Sequence, residues 1–222
     1  MKKAILAATF AVMLSVSGYT FAADDAPYKV VEKFPFKAGV QDALQLLDSD
    51  RFVGKEDAPI QVIEYASMTC GHCAAFEKST YPQIKENYID TGKVRFVMRP
   101  MPWDNRALAV SLIAMCAPRD QYENFVSAFF STQTQWATSK TFLEDVKKIA
   151  RLGGMDGDMV EKCVADPDLR KVVDAGIEMG TKTLEVQATP TFFINGEKVE
   201  GALPYAELAN YLDEMLKKIE AK

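Results

Sequence analysis

The chain has 222 residues, of which 48% are hydrophobic and 26% are charged, and these proportions suit a folded protein with one sizeable core. The formal net charge is −5, and the sequence has no cluster of basic residues of the kind that binds a phosphate backbone. Nucleic acid is therefore excluded as an expected partner, and no repeat or low-complexity linker divides the chain.

Residues 1–22 have the pattern of a secretory signal peptide. Two lysines precede an apolar run at residues 4–16, and residues 20–22 place small side chains three positions and one position before a cut that follows Ala22. The apolar run is too short for a stable membrane span, although a retained membrane anchor is the alternative. No later run is long enough to cross a bilayer. We therefore expect residues 23–222 to form a soluble protein outside the cytoplasm.

A nearly continuous apolar run at residues 60–66 predicts a buried central strand. Before it, residues 28–34 predict a short strand and residues 40–47 predict one or two helical turns. Alternation along the central strand places Glu64 on one face with three apolar neighbours, Ile60, Val62 and Ala66. Because a carboxylate is costly to bury among such neighbours, Glu64 needs either a partner or a chemical role.

Two cysteines follow this strand with two residues between them, in the motif Cys70-Gly71-His72-Cys73. Such a pair can close a small disulfide, and a thiolate at the start of a helix lies at the positive end of the helix dipole. That position lowers the pKa of a cysteine thiol from about 8.5 towards a range of about 3.5 to 7.5. The same spacing supplies half of a zinc site. Because a strand precedes the motif and a helix follows it, redox chemistry is the better interpretation.

The motif opens a predicted helix at residues 70–88, which Pro82 should kink, and residues 93–99 predict a second strand. Five further helices are then predicted without an intervening strand, from a cap at Asp104 to Leu184. Their expected extents are 104–117, 122–130, 142–152, 158–165 and 166–184.

The chain then returns to strands in a predicted hairpin at residues 191–199, whose Asn195-Gly196 turn favours a tight antiparallel connection. A last helix begins at Pro204. This order of elements predicts an α/β fold with a mixed sheet, in which a βαβ unit and a ββα unit are separated by about eighty residues of helix. The first two strands should be parallel, and the hairpin should add antiparallel strands to the same sheet.

Two more cysteines, Cys116 and Cys163, lie on predicted helices of the helical block. An even number of cysteines in an exported chain favours pairing, because disulfides persist outside the cytoplasm. We therefore expect a structural disulfide between Cys116 and Cys163. Two free buried cysteines are the alternative.

The chain resembles the thioredoxin superfamily in two motifs, Cys70-Gly71-His72-Cys73 near the front and Ala188-Thr189-Pro190-Thr191-Phe192-Phe193 near the end. The helical block between them is similar to that of the bacterial DsbA-type thiol:disulfide oxidoreductases, and most similar to that of members with a second cysteine pair there. The resemblance extends over residues 51–222. It implies a thioredoxin-like fold for residues 23–222, with a helical insertion at about residues 104–186.

The resemblance implies roles for the residues of the first motif. Cys70 matches the nucleophilic cysteine, and Cys73 matches the buried resolving cysteine. His72, the only histidine, would tune the Cys70 thiol, although an incidental surface histidine is the alternative. Gly71 departs from the best-known DsbA enzymes, which have Pro-His between the cysteines. The pair Gly-His is familiar from eukaryotic protein disulfide isomerases, so the redox potential is left open.

The resemblance also implies roles for Glu64, Thr189 and Pro190. Glu64 matches a buried acid that relays protons to the resolving cysteine, and a buried ion pair with Arg95 or Arg99 is the alternative. Thr189 and Pro190 match a loop whose cis-proline faces the disulfide and whose Thr189 backbone would pair with an extended substrate. An ordinary proline at the entry of a strand is the alternative.

Together these roles imply a periplasmic dithiol oxidase that introduces disulfides into reduced exported proteins and is reoxidised by a DsbB-like membrane oxidase. A disulfide isomerase or reductase on the same scaffold is the first alternative. Such isomerases tend to oligomerise through an added N-terminal module, and only about 28 residues separate Ala22 from Arg51, so we expect a monomer and an oxidase. The second alternative is a metal carrier that uses Cys70, His72 and Cys73, but a single histidine leaves few ligands for zinc. No cofactor is expected.

Overall fold

A six-stranded mixed sheet forms the centre of the part of the chain that the computed structural model describes, residues 29–30 and 39–221. The predicted signal peptide lies outside these residues, as does most of the strand predicted at 28–34. The strands are β1 (Lys29–Val30), β2 (Phe52–Val53), β3 (Ile60–Ala66), β4 (Val94–Pro100), β5 (Thr191–Ile194) and β6 (Glu197–Glu200). In space they follow the order β1-β6-β5-β3-β4-β2.

Strand β3 lies in the interior of the sheet and pairs with a neighbour on each side. It is parallel to β4, with Ile60 opposite Val94, and antiparallel to β5, with Tyr65 opposite Thr191. The predicted combination of a parallel strand pair and an added antiparallel hairpin is therefore confirmed. The register with β5 brings the residues before Thr191 to the carboxyl end of β3, where the two-cysteine motif begins.

Two clusters of buried apolar side chains pack against the sheet. Ile60 and Val62 belong to the larger cluster, whereas Ile63 and Tyr65 belong to the smaller one. The predicted alternation along β3 is therefore confirmed. Because Glu64 follows Val62 by two positions, its buried carboxyl group points to the side of the larger cluster.

Helices account for most of the remaining described residues. They are α1 (Val40–Ala43), α2 (Gly71–Ser79), α3 (Tyr81–Ile84), α4 (Asn105–Cys116), α5 (Tyr122–Ser131), α6 (Gln133–Trp136), α7 (Phe142–Leu152), α8 (Gly157–Ala165), α9 (Pro167–Glu178) and α10 (Tyr205–Glu220). Within residues 39–221, no helix combines the length and the apolar character that a membrane crossing requires.

The helix predicted at residues 70–88 is divided at Thr80 and ends in a π-helical turn, Lys85–Ile89. Thr80 has φ −97° and ψ −48°, and its hydroxyl group donates a hydrogen bond to the carbonyl oxygen of Leu203 at 2.9 Å. Pro82 lies in the first turn of α3, where a missing N–H group removes no helical hydrogen bond. The expected interruption is therefore present, but it precedes the proline.

Helices α4 to α9 form the insertion between β4 and β5. Asp104 caps α4 and Asp166 caps α9, each by accepting hydrogen bonds from two backbone N–H groups of the first turn. The short helix α6 was not predicted from the sequence. Leu143 and Val172 are apolar residues of α7 and α9 that remain exposed, because they lie beside the buried face of their helices.

A disulfide joins Cys116, the last residue of α4, to Cys163 in α8. The two cysteines are 47 positions apart, so the bond encloses α5, α6 and α7 and ties together the two helices on either side of them. The predicted pairing is confirmed, and the alternative of two free cysteines is wrong.

The double replacement Cys116→Ala/Cys163→Ala is expected to lower the free energy of unfolding by a few kcal/mol. In the chain-entropy model, a bond across 47 positions restricts the unfolded chain by about 4 kcal/mol. The pKa of Cys70 should stay unchanged, because the bond does not contact that residue. Denaturant unfolding measures the loss, and thiol counting on the denatured wild-type protein checks the bond. An unchanged free energy of unfolding would contradict the expectation.

Candidate active site

The motif cysteines lie at the carboxyl end of β3, where α2 begins. Cys70 is the N-cap residue of α2 and has an extended backbone, with φ −74° and ψ 122°, while Cys73 lies in the first helical turn. The Cys70 side chain is partly exposed, whereas Cys73 is 0% exposed. Both thiols are free. Only Cys70 is therefore within reach of another protein.

The surroundings of Cys70 lower the pKa of its thiol from 9.0 to about 5. The largest effect is a hydrogen bond from the side chain of Cys73, and partial burial opposes it. Further hydrogen bonds come from the side chain of Thr189 and from the backbone N–H groups of Cys73 and His72. These N–H groups lack helical partners and therefore favour a negative charge. At neutral pH, Cys70 is a thiolate, the form that acts as nucleophile and as leaving group.

Cys73 has the opposite character. Burial raises the pKa of its thiol far above the ordinary value, and the hydrogen bond to Cys70 and the charge of Glu64 raise it further. Cys73 therefore keeps its proton at neutral pH. The two cysteines differ in both accessibility and ionisation, as the predicted roles of nucleophile and resolving cysteine require.

The loop before β5 faces the Cys70 sulfur. The peptide bond between Thr189 and Pro190 is cis. The Cys70 sulfur lies 3.2 Å from the carbonyl oxygen of Thr189, which accepts a hydrogen bond from the thiol when Cys70 is protonated, although the two residues are 119 positions apart. The cis-proline loop that the resemblance implies therefore lies beside the cysteine pair. Its pairing with an extended substrate stays a prediction.

Glu64 is a buried carboxyl group near the cysteine pair. It is 2% exposed, and burial raises the pKa of its side chain well above the ordinary value. The negative charges of Glu77 and Cys70 raise this pKa further. Glu77 is itself buried, and burial raises the pKa of its carboxyl group to about 7. Glu64 can therefore hold a proton at neutral pH, as a proton relay to Cys73 requires.

The alternative role of Glu64, an ion pair with a neighbouring arginine, is wrong. Arg99 forms a buried ion pair with Asp50, with an Nη2–Oδ2 distance of 2.8 Å. Arg95 donates to the side-chain oxygen of Gln61 at 2.6 Å and to a backbone carbonyl. Both guanidinium groups are thus bound elsewhere, and no positive charge compensates Glu64 among the described residues.

Glu64→Gln is expected to slow the attack of a substrate thiol on the oxidised protein by about tenfold or more, because the amide cannot supply a proton to the departing Cys73 sulfur. The wild-type rate should fall as pH rises through the raised pKa of Glu64, and the variant should lack this step. Stopped-flow measurement of the exchange rate against pH tests both expectations. The variant should fold at least as stably at pH 7, because a carboxyl group with a raised folded-state pKa lowers stability above its unfolded pKa. Identical pH profiles would contradict the relay.

Gly71 and His72 occupy the exposed start of α2. The backbone N–H group of His72 stabilises the Cys70 thiolate, while the role predicted for its imidazole stays a prediction. A Cβ atom at Gly71 would meet nothing within 4 Å, so no close approach requires glycine there. Among residues 29–30 and 39–221, no three histidine, cysteine or acidic side chains are grouped so as to hold a metal ion.

Sequence reasoning missed two residues that contact this site. Gln133 of α6 is buried and donates hydrogen bonds from Nε2 to the carbonyl oxygens of Met68 at 2.8 Å and Cys70 at 3.0 Å. Trp103 donates from Nε1 to the hydroxyl oxygen of Thr189 at 2.9 Å. Neither residue belongs to a local motif, and each reaches the site only through the folded insertion or the loop before it.

Comparisons with known proteins agree with this arrangement. A family model for thioredoxin matches residues 47–214, which is most of the chain. A relative from Rickettsia bellii with protein-disulfide oxidoreductase in its name is 31% identical over 154 residues, which are 69% of this chain and 60% of that protein. Disulfide bond formation protein D of Bacillus subtilis is 21% identical over 173 residues, which are 74% of this chain and 76% of that protein. The chain thus spans only about 60% of the length of the Rickettsia relative.

Solved structures give the same result. Alpha-DsbA1 from Wolbachia pipientis has a TM-score of 0.77 and is 30% identical, and the match covers 82% of this chain and 100% of that one. BdbD from Bacillus subtilis is similar in fold, with a TM-score of 0.69 and 20% identity over 76% of this chain and 94% of that one. The chain therefore belongs to the thioredoxin family, as a DsbA-like member with a helical insertion.

Proposed function

We propose that the protein is a periplasmic thiol:disulfide oxidoreductase that acts as a dithiol oxidase on reduced exported proteins. The observation that carries this proposal is the contrast between the cysteines of one pair. Cys70 is accessible, with a pKa of about 5, whereas the pKa of the buried Cys73 is raised. A stabilised Cys70 thiolate favours the reduced pair over the disulfide, and a pair that favours its reduced form oxidises other thiols.

The reaction consists of two exchange steps. First, a substrate thiolate attacks the Cys70 sulfur of the Cys70–Cys73 disulfide, so a substrate–Cys70 disulfide forms and Cys73 leaves. The departing Cys73 sulfur takes a proton from Glu64, which regains one from solvent. Next, a second substrate thiolate attacks the substrate sulfur of the mixed disulfide, and Cys70 leaves as a stabilised thiolate. The substrate has then lost two electrons, which the Cys70–Cys73 dithiol holds.

Substrate access supports the same reaction. The Cys70 sulfur is bordered by the Thr189–Pro190 loop, whose backbone lies within hydrogen-bond distance of the reacting atom. An extended substrate that pairs with this loop would place its cysteine at Cys70. Unfolded exported proteins offer such segments, because their backbone groups are not yet paired within a sheet.

The location and the second partner are part of the proposal. The signal-peptide pattern of residues 1–22 supports export to the periplasm, so a periplasmic fraction should contain a chain that begins at Ala23. Continued turnover requires an oxidant for the Cys70–Cys73 dithiol, and we assign that role to a DsbB-like membrane oxidase. The protein is proposed to act as a monomer, which measurement of its mass in solution would test.

The direct test is a stoichiometric transfer experiment. The oxidised protein is mixed with a reduced, unfolded ribonuclease, and the free thiols of each protein are counted after alkylation. Each enzyme molecule should remove two substrate thiols and gain two of its own, at Cys70 and Cys73. The Cys70→Ser variant should remove none. Substrate thiols that persist with the wild-type protein would contradict the proposed activity.

A further inference from the structure

Trp103 is a large aromatic side chain at the surface beside the cysteine pair. It follows β4 and precedes α4, and 50% of its surface is exposed. Its indole N–H group donates to the hydroxyl oxygen of Thr189 at 2.9 Å, across 86 positions of the chain. The carbonyl oxygen of Thr189 in turn lies 3.2 Å from the Cys70 sulfur. An indole, a hydroxyl group and the reactive sulfur are thus gathered around one threonine.

The loop that carries Trp103 is bonded to the end of β3 and to the segment that leads from it to Cys70. The backbone N–H group of Met101 donates to the carbonyl oxygen of Ala66 at 2.7 Å. The hydroxyl group of Thr69 donates to the Asp104 carboxylate at 2.6 Å. These bonds hold the loop on both sides of Trp103. The indole is therefore placed by the same segment that places the cysteine, although the ring is exposed.

The chemistry of the two groups decides the direction of the hydrogen bond between Trp103 and Thr189. An indole N–H group can only donate, whereas a threonine hydroxyl group can accept two hydrogen bonds and donate one. Because Trp103 uses an acceptor site of the Thr189 oxygen, the hydroxyl proton remains free to point elsewhere. Thr189 also lies beside the reactive sulfur, because its carbonyl oxygen is 3.2 Å from the Cys70 sulfur, and its side chain is one of the groups that lower the pKa of Cys70. Hydrogen bonds in such a chain also strengthen one another.

We propose that Trp103 is a positioning residue, which orients the Thr189 hydroxyl group so that its proton points to the Cys70 sulfur. The indole acts through Thr189 and does not contact the reacting atoms. This inference rests on the proposed function, because it concerns the thiolate that makes the pair an oxidant.

The test is a double-mutant cycle on the Cys70 thiolate. Trp103→Phe keeps an aromatic ring but removes the N–H group, and Thr189→Val removes the hydroxyl group while keeping a branched side chain. The pKa of Cys70 is read in the reduced proteins from the pH dependence of its alkylation rate, because only the thiolate acts as a nucleophile. Trp103→Phe should lower the acid dissociation constant of Cys70 by about three- to tenfold. In the Thr189→Val background, the same replacement should have no further effect.

Trp136 provides a matched control, because it is the other tryptophan of the chain. Its N–H group also donates at 2.9 Å, to the carbonyl oxygen of Phe129, and its ring is fully buried. Trp136→Phe should lower the melting temperature and leave the pKa of Cys70 unchanged.

Two results would overturn the role of Trp103 without affecting the proposed oxidase. The first is a low Cys70 pKa in the wild-type protein that Trp103→Phe leaves unchanged. The second is that the effects of Trp103→Phe and Thr189→Val on this pKa simply add. An ordinary Cys70 pKa in the wild-type protein would contradict the proposed oxidase, and this inference with it.

Discussion

Cys73→Ser is expected to abolish turnover and to trap the protein in mixed disulfides. The variant keeps the accessible Cys70 thiolate, which can still attack a disulfide, but it lacks the buried thiol that would release the partner. Cells that produce the variant should therefore accumulate bands of high mass that contain this protein. The bands should disappear on reduction, and mass spectrometry should find the partners linked through Cys70.

Cys70→Ser is the matched control for this experiment. It leaves Cys73, which is 0% exposed and whose raised pKa keeps it protonated at neutral pH. We expect no trapped partner, because a buried thiol can neither reach nor attack another protein. If Cys70→Ser traps partners as well as Cys73→Ser does, the assignment of the two roles is wrong.

The reduced protein is expected to be more stable than the oxidised protein at pH 7. In a dithiol oxidase, the Cys70–Cys73 disulfide is easier to reduce in the folded protein than in the unfolded chain. The free-energy difference between these two reductions equals the extra stability of the reduced protein against unfolding. The thiolate supplies a pH-dependent part of this difference. Between its folded pKa of about 5 and pH 7, this part reaches about 2.7 kcal/mol, and solvent screening of the partly exposed sulfur reduces it to about 1–2 kcal/mol.

The sign of the pH dependence follows from the lowered pKa of Cys70. A group whose folded pKa lies below its unfolded pKa stabilises the folded state fully above the unfolded value, here about 8.5. The stabilisation is lost as pH falls through the folded value of about 5. The stability difference between the reduced and oxidised forms should therefore shrink between pH 7 and about pH 4. The constraint that the disulfide places on the unfolded chain does not depend on pH, so this change isolates the thiolate.

Denaturant unfolding of both forms at several pH values provides the measurement. It is best made in the Cys116→Ala/Cys163→Ala background, so that reduction affects the Cys70–Cys73 pair alone. Glu64 and Glu77 are present in both forms, but the Cys70 charge that raises the pKa of Glu64 exists only in the reduced form. Equal free energies of unfolding at pH 7 would contradict the oxidase, as would a difference that grows on acidification.

The sequence was sufficient to predict the elements that local pattern determines. A continuous apolar run gives β3, the Asn195-Gly196 turn gives the hairpin, and Asp104 and Asp166 cap their helices. In each case the signal lies within a few neighbouring residues. The disulfide was also predictable, because export and an even number of cysteines limit the choices.

The features that the sequence did not predict depend on distant contacts. Strand β2 has only two residues and exists because it pairs with β4, so no periodic pattern marks it. Arg99 is paired with Asp50, which lies 49 positions away in the chain, so it does not pair with Glu64. No local pattern in the sequence indicates this distant partner. Gln133 and Trp103 reach the site across 63 and 86 positions, respectively. Such residues become visible only when the insertion is folded against the sheet.

The reduction potential of the Cys70–Cys73 pair tests the central claim most directly. The protein is equilibrated at pH 7 in glutathione buffers of graded redox ratio, and the reduced fraction is counted by thiol alkylation and mass spectrometry. An oxidase with a stabilised Cys70 thiolate should lie towards the oxidising extreme of the superfamily, about −120 mV. A value of about −180 mV would favour the isomerase alternative instead, and a value near the thioredoxin potential of about −270 mV would contradict the proposed oxidase.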